Sequence, residues 1–277
     1  MQSISWKVLA ATAIGALGAR ANAQHLIDIA IGQSQGKIAT GVFQVQDANI
    51  APMLSQRVFI AEFGVFPDFT NNPGLDSLAG AFQPGSQIGF NILKALRKWD
   101  GTSFPQSAAG IPPEQIQIKL GPAANVRLTP TTDVPVPGFG LAVSTGTNAG
   151  EFHHHPGYTL LDPASDGLYL LELELWSTQP GLANSLPYWM VFSQNASEDE
   201  LREAATWVRM NLWAPDCGAD LNNDGVVDDS DFVYFVNAYN YYLCDPPGCP
   251  TDLNGDWVTD DQDFILFAMQ YDGFLCP

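Results

Sequence analysis

Oxygen-bearing side chains recur at matched intervals in two segments near the carboxyl end of the chain. Segment 220–231 has the sequence DLNNDGVVDDSD, and segment 252–263 has the sequence DLNGDWVTDDQD, 32 residues later. From Asp216 onward there are 13 aspartates and no glutamate, lysine or arginine. Such a density of negative charge repels itself unless cations neutralise it. The regular spacing indicates bound cations rather than a disordered tail.

Both segments fit a twelve-residue loop that wraps a calcium ion, which takes oxygen ligands from loop positions 1, 3, 5, 7, 9 and 12. In the first loop the predicted ligands are Asp220, Asn222, Asp224, the carbonyl of Val226, Asp228 and Asp231. In the second loop they are Asp252, Asn254, Asp256, the carbonyl of Val258, Asp260 and Asp263.

The two loops differ at position 6, where the chain turns sharply. Gly225 occupies that position in the first loop and Trp257 in the second. A positive φ costs a residue other than glycine roughly 1 kcal/mol. We therefore expect two calcium sites, of which the second is the weaker.

Two features distinguish these loops from an ordinary EF-hand. Position 12 is aspartate rather than glutamate, and no amphipathic helix precedes the first loop. Tandem loop-then-helix units of this kind resemble type I dockerins and related EF-hand-like repeats of secreted bacterial proteins. The resemblance covers 214–277 and implies a small helical calcium-binding module. Dockerins often carry small hydroxyl residues at positions 10 and 11 for cohesin binding. Here the pairs Asp229-Ser230 and Asp261-Gln262 match poorly, which favours a structural calcium module over docking.

A second chemical cluster is the run EFHHH at 151–155. On an extended strand, His153 and His155 point to the same side. Two imidazoles on one face form half of a zinc site, because zinc binds histidine nitrogen. Glu151 shares that side, and His25 is a further candidate. The predicted zinc ligands are thus His25, His153 and His155 with a carboxylate. The alternative is a polar strand edge with solvated or hydrogen-bonded histidines.

Three runs around this cluster carry a second, more diffuse resemblance: HHHPGY at 153–158, GLYLLELEL at 167–175 and SLPYWMVF at 185–192. They are similar to secreted bacterial proteins of the zinc-repressor-regulated, PEP-CTERM surface type, which are proposed to handle zinc. The resemblance implies that His153 and His155 are zinc ligands, and it supports His25 more weakly.

All four cysteines lie in the tail, and an even number in an exported chain is typical of two disulfides. A zinc site of four thiolates is the competitor, but the spacing lacks the short C-x-x-C pairs typical of such sites. Sequence does not fix the connectivity. An antiparallel pair of helices would favour Cys217–Cys276 and Cys244–Cys249.

The predicted secondary structure differs between the two parts of the chain. In 24–213, alternating apolar runs separated by Pro- and Gly-rich turns predict a mainly β domain, either a sandwich or a barrel. The capping-box sequence SEDE at 197–200 predicts the start of one helix that covers the sheet. In the tail, aromatic residues at helical spacing predict an amphipathic helix after each loop. We expect the two helices to pack against each other.

Composition and the first residues bear on location and partners. Residues 1–23 have a lysine, a short apolar run and an A-x-A site, typical of a cleaved signal peptide. No later run is long and apolar enough to predict a membrane span. A net charge of −19 disfavours nucleic-acid binding, which needs Lys and Arg. We expect a secreted or periplasmic bacterial protein.

These features support three hypotheses about function. The first is a secreted calcium-binding modular protein whose β domain binds a ligand or metal or has a structural role. The second is a periplasmic or extracellular zinc-handling protein that uses the His153–His155 cluster. The third is an exported polysaccharide-active enzyme with a dockerin appendage. No nucleophile motif or zinc-protease motif is present, so the sequence favours a protein that is not an enzyme. The expected partners are calcium ions and an extracellular protein or polysaccharide.

Overall fold

The fold is mainly β with a small helical part, as the sequence predicts. The computed structural model describes residues 28–46, 49–64, 66–213, 218–222, 226–241, 250–253 and 258–271. The predicted signal peptide, His25 and all four cysteines, with the two predicted disulfides, lie outside the described residues.

Fifteen strands, numbered β1 to β15 along the chain, form three sheets within the described residues. The first sheet has, in spatial order, β12 (His153–His154), β6 (Leu75–Asp76), β1 (Ile29–Ser34), β2 (Lys37–Gln46) and β3 (Asn49–Met53). The second has β10 (Val126–Leu128), β9 (Ile116–Lys119), β13 (Gly157–Leu160) and β5 (Phe69–Thr70). The third has β11 (Val136–Ala142), β7 (Gln87–Ile92), β14 (Gly167–Ser177), β15 (Tyr188–Gln194) and β4 (Val58–Glu62), and β8 (Arg97–Lys98) pairs with β14.

The central strands of the third sheet contribute side chains to two different cores, one on each face. On β14, Tyr169, Leu171, Leu173 and Leu175 belong to the main core, whereas Leu168 and Leu170 belong to a second core. Successive side chains of a strand point to opposite faces. The alternation therefore divides the strand between the main core and the covering helix.

That covering helix, α1 (Glu198–Val208), begins where the sequence predicts it. The Ser197 hydroxyl accepts a hydrogen bond from the backbone N–H of Glu200, whose carboxylate accepts one from the backbone N–H of Ser197. This capping box satisfies two N–H groups at the helix start. The buried stripe of the helix packs on the second core and consists of Leu201, Ala204, Ala205 and Val208. A π-helical turn, Arg209–Trp213, follows directly.

The tail has two helices and a core of its own. Helices α2 (Asp229–Tyr241) and α3 (Asp261–Tyr271) follow the two loops, as predicted. The rings of Phe235 and Phe267 meet at 5.1 Å between centroids, and those of Phe232 and Phe264 at 6.5 Å. Equivalent residues of the two repeats thus face each other, which confirms the predicted helix pairing. In the part of the chain that the structure describes, no helix combines the length and the apolar character needed to cross a bilayer.

Candidate metal site

The candidate site lies at one edge of the first sheet, where three chain segments meet. The edge strand β12 pairs antiparallel with β6, and His153 lies opposite Asp76. Strand β6 in turn pairs parallel with β1. Asp28 directly precedes β1, so the pairing brings it next to histidines more than 120 residues away in the chain.

Three potential ligand atoms face one another at this edge. His153 Nε2 and His155 Nε2 are 3.0 Å apart. Asp28 Oδ2 lies 3.2 Å from His155 Nε2 and 3.6 Å from His153 Nε2. Among the described residues, these three side chains form the one group of three or more His, Cys, Asp or Glu whose ligand atoms lie within 4.8 Å of one another. The group could hold a metal ion.

The spacing of the three atoms matches a tetrahedral metal site. With Zn–N and Zn–O bonds of about 2.0–2.1 Å, two ligand atoms of a tetrahedron lie about 3.3 Å apart. The observed separations of 3.0, 3.2 and 3.6 Å lie on both sides of that value. One ion could therefore reach all three atoms with only small movements of the side chains.

Contacts behind the ligands orient them toward this centre. His155 Nδ1 lies 3.0 Å from the carbonyl oxygen of Asn71. A carbonyl only accepts, so Nδ1 carries the proton and leaves the Nε2 lone pair of the neutral ring available to a metal. Asp28 Oδ1 accepts a 2.8 Å hydrogen bond from the backbone N–H of Gly74, which directs Oδ2 toward the histidines. His153 Nδ1 faces Asp76 Oδ1 at 3.9 Å.

The burial of Asp28 makes a positive charge at this site favourable. Its side chain is 0% exposed, whereas the side chains of His153 and His155 are 28% and 21% exposed. Asp28 Oδ2 makes no hydrogen bond of acceptable geometry within the described residues, although both imidazoles face it. A buried carboxylate is costly unless it is paired or bound to a metal. The Asp28 carboxylate, 3.2 Å from His155 Nε2, raises the pKa of His155 against the opposing effect of burial, so a metal would have to displace a proton at acid pH.

The third histidine of the run and the predicted glutamate lie elsewhere. His154 points to the other side of the strand, where Nε2 lies 3.1 Å from the carbonyl oxygen of Ala142 and burial lowers its pKa. The expectation that Glu151 shares the face of His153 is wrong. Strand β12 begins only at His153, and Glu151 lies between the preceding turn and the strand, outside the Asp28–His153–His155 group. Its carboxylate accepts from Asn148 Nδ2 at 3.0 Å. Asp28 supplies the carboxylate instead.

Gly74 is the residue that permits this arrangement. A Cβ at position 74 would lie 2.7–2.9 Å from three ring atoms of His155, closer than side chains tolerate. We expect Gly74→Ala to displace the imidazole and to weaken binding of any metal held here by roughly 10–100-fold, the usual cost of disturbing a ligand's supporting contacts. Isothermal titration calorimetry measures this change. Gly146→Ala is the matched control, because a Cβ there meets only Ser144 Oγ, at 4.0 Å. Equal metal affinities of the two variants would contradict the assigned role of Gly74.

The described parts of the two predicted calcium loops share one hydrogen-bond pattern. Asp231, at position 12, is fully buried and accepts from the backbone N–H groups of Leu221 at 2.8 Å and Asp228 at 2.9 Å. Asp263 is also fully buried and accepts from the equivalent groups of Leu253 at 2.7 Å and Asp260 at 2.9 Å. Each position-12 carboxylate thus closes its loop. Burial raises the pKa of Asp231, partly offset by these hydrogen bonds.

The remaining predicted calcium ligands divide into two groups. Those described, besides the position-12 aspartates, are Asp220, Asn222, Val226, Asp228, Asp252, Val258 and Asp260. Those that lie outside the described residues are Asp224, Asn254 and Asp256, together with Gly225 and Trp257. Calcium binding by both loops therefore stays a prediction.

Sequence reasoning missed a cation beside the second loop. Arg209, from the turn after α1, is almost fully buried, and its Nη1 lies 3.7 Å from Asp252 Oδ2, at position 1. Its Nη2 also donates to the carbonyl of Pro250 at 3.3 Å. A protein cation at this ligand would compete with calcium, which gives a second reason to expect the second site to be the weaker.

Two tyrosines connect the helices of the tail to the opposite loops. The hydroxyl of Tyr239, on α2, donates to Asp261, and the hydroxyl of Tyr271, on α3, donates to Asp229. Both aspartates are at position 10 of their loops. These reciprocal bonds connect the end of each helix to the start of the other.

Two pairs of residues outside the metal site have side chains of the kind found in active sites, but their contacts fit a structural role. Glu172 forms a 3.0 Å ion pair with Lys94, and Glu174 accepts from two asparagine side chains. Lys98 Nζ donates to Ser165 Oγ at 2.8 Å, which resembles a nucleophile with its base. Lys98 is, however, also 3.7 Å from the buried carboxylate of Glu114, and a lysine base must be neutral.

The fold and the site together define a β-rich protein with an Asp/His group that could hold a metal ion. No protein-family model matches the chain, and no curated protein sequence is significantly similar to it.

Proposed function

We propose that this is an exported metal-binding protein whose β domain binds zinc through Asp28, His153 and His155. The observation that carries the proposal is the convergence of Asp28 Oδ2 and the two histidine Nε2 atoms at 3.0–3.6 Å, with the carboxylate buried and the imidazoles partly exposed. A zinc site with three protein ligands keeps a fourth position for water or another ligand. That arrangement suits a protein that takes up and releases zinc.

The donor set and the sequence resemblance both support zinc. Two neutral imidazoles and one carboxylate are ligands that zinc prefers, whereas calcium and magnesium prefer oxygen alone. The same donors also serve non-haem iron. The similarity to secreted proteins proposed to handle zinc favours zinc over iron.

A second metal function, calcium binding by the tail, rests on a separate observation. Both position-12 aspartates are fully buried, and each accepts backbone hydrogen bonds from positions 2 and 9 of its own loop. A buried carboxylate with the same contacts in two repeats fits a loop organised around a cation. We propose that calcium stabilises the tail, which then acts as a structural module.

Metal analysis of the protein purified from its native host tests this proposal. Inductively coupled plasma mass spectrometry should find about one zinc and up to two calcium ions per chain. Iron in place of zinc would overturn the choice of metal. Absence of every transition metal, in protein that also fails to take up added zinc, would overturn the proposed function of the β domain.

A further inference from the structure

A small cavity lies in the β domain, apart from the metal site. It occupies about 70 Å³, room for several waters or for one small ligand group. Its walls are the start of β2, the connection between β3 and β4, and the segment that leads into β15. Backbone hydrogen bonds join Ile38 N–H to the Ala183 carbonyl at 3.1 Å and Ala183 N–H to the Gly36 carbonyl at 2.9 Å. The polar lining residues are Ser34, Lys37, Thr40, Ser55, Arg57 and Ser185.

Arg57 presents a pre-oriented cation to this cavity. Its guanidinium lies over the ring of Trp189, 5.0 Å from the centroid, and its Nε donates to the Pro187 carbonyl at 2.7 Å. These contacts fix the plane of the group. Within the described residues, the two terminal nitrogens make no hydrogen bond. Burial lowers the pKa of Arg57 to about 10, so the group keeps its charge at neutral pH.

Ser55 adds an unsatisfied hydroxyl on the same wall. Its side-chain oxygen is buried and has no hydrogen-bond partner within the described part of the chain. The neighbouring hydroxyls are already engaged: Thr40 donates to the Gln56 carbonyl and Ser185 to the Leu186 carbonyl. A buried polar group without a partner is costly, and an oxygen atom of a ligand in the cavity would remove that cost.

The charge around the cavity is opposite to that of the protein. The chain has 30 acidic and only 11 basic side chains, yet two of the basic ones, Lys37 and Arg57, line this cavity and no acidic residue does. Lys37 is exposed and makes no ion pair within the described residues. Two cations on one wall attract anions. The carboxylate of Glu172, which does not line the cavity, offsets part of the Arg57 charge.

We propose that this cavity binds the carboxylate of a small organic acid. A planar carboxylate matches the two terminal N–H groups of an arginine, and the Ser55 hydroxyl could donate to one of its oxygens. A monoanion also suffers less repulsion from a chain of net charge −19 than a dianion such as phosphate or sulfate. The chemistry fits an acid that carries further polar groups.

A neighbouring cavity provides space for the rest of such a ligand. It occupies about 250 Å³ and shares Ser34, Gln35 and Leu54 with the first. Its other walls include Gln33 and, from the tail, Tyr234. Amide side chains and an aromatic ring are suited to a sugar, so we assign the ligand to the class of uronic acids.

Isothermal titration calorimetry of the full chain with galacturonate tests the proposal. We expect galacturonate to bind, and neutral galactose to bind at least about tenfold more weakly, because only the acid can pair with Arg57. Arg57→Gln should weaken binding roughly tenfold or more, and Ser55→Ala roughly fivefold. Lys119→Gln, which removes an exposed charge on another sheet, should leave the affinity unchanged.

Three outcomes would overturn the proposal: no binding of galacturonate or acetate, tighter binding of sulfate or phosphate than of galacturonate, or equal affinity of the wild type and Ser55→Ala. The serine variant keeps the test decisive if Arg57→Gln misfolds, because the Ser55 hydroxyl has no hydrogen bond to lose among the residues that the structure describes. The zinc site shares no residue with this cavity, so the two proposals fail independently.

Discussion

Replacement of Asp28 by asparagine should lower the affinity of the protein for zinc by about 100-fold or more. Loss of contacts that only support a metal ligand typically lowers metal affinity 10–100-fold, and removal of a ligand itself should lower it by at least the upper end of that range. Asparagine has the same shape and can still accept from the Gly74 N–H. The substitution therefore removes the charge and spares the fold. The double variant His153→Ala/His155→Ala should abolish binding.

The matched control for this experiment is His154→Ala. His154 lies between the two proposed ligands in sequence, but it faces the carbonyl of Ala142 on the other side of the strand. Its loss should leave zinc affinity within about threefold of the wild type.

Titration calorimetry and the melting temperature with added zinc report both effects. At 100 times the dissociation constant, zinc should stabilise the wild type by about 2.7 kcal/mol, or roughly 5–10 °C. If Asp28→Asn gains as much from zinc as the wild type, the assignment of the site is wrong.

Removal of calcium should have the second-largest effect, confined to the tail. We expect EDTA to weaken the near-ultraviolet circular dichroism of the aromatic residues between α2 and α3, and calcium added back without zinc to restore it. Asp231→Ala should remove one calcium equivalent, because this side chain is a proposed ligand and also holds the backbone of Leu221 and Asp228. Without the ion, the clustered carboxylates repel one another.

Ser230→Ala provides the control for the calcium experiment. Ser230 is adjacent to Asp231 and exposed, and the hydrogen bond it makes to Asp228 comes from its backbone N–H, which alanine retains. Its calcium stoichiometry should equal that of the wild type. A near-ultraviolet circular dichroism spectrum that is unchanged by EDTA would contradict calcium binding by the tail.

Sequence predicted the features that depend on local periodicity. The capping box at Ser197, the buried stripe of α1 and the helix after each loop follow from spacing within a few residues, and all are confirmed. The alternation rule also placed His153 and His155 on one side, and their Nε2 atoms are 3.0 Å apart. Short-range geometry of this kind is fixed by the backbone of a single element.

The features that sequence missed depend on contacts between distant segments. Asp28 joins the histidines only because β1 pairs parallel with β6 and β6 pairs with β12, and no local pattern encodes that order. Its one sequence signal was a lone charge at the start of a buried strand. Arg209 reaches the second loop for the same reason, across 43 positions of the chain. Glu151 was mispredicted because the alternation was extended past the end of the strand.

The most direct test of the zinc site is a crystal structure with data collected at the zinc absorption edge. We expect one anomalous difference peak about 2.0–2.1 Å from each of Asp28 Oδ2, His153 Nε2 and His155 Nε2. In crystals soaked in zinc, an anomalous map without a peak between these three atoms would contradict this expectation.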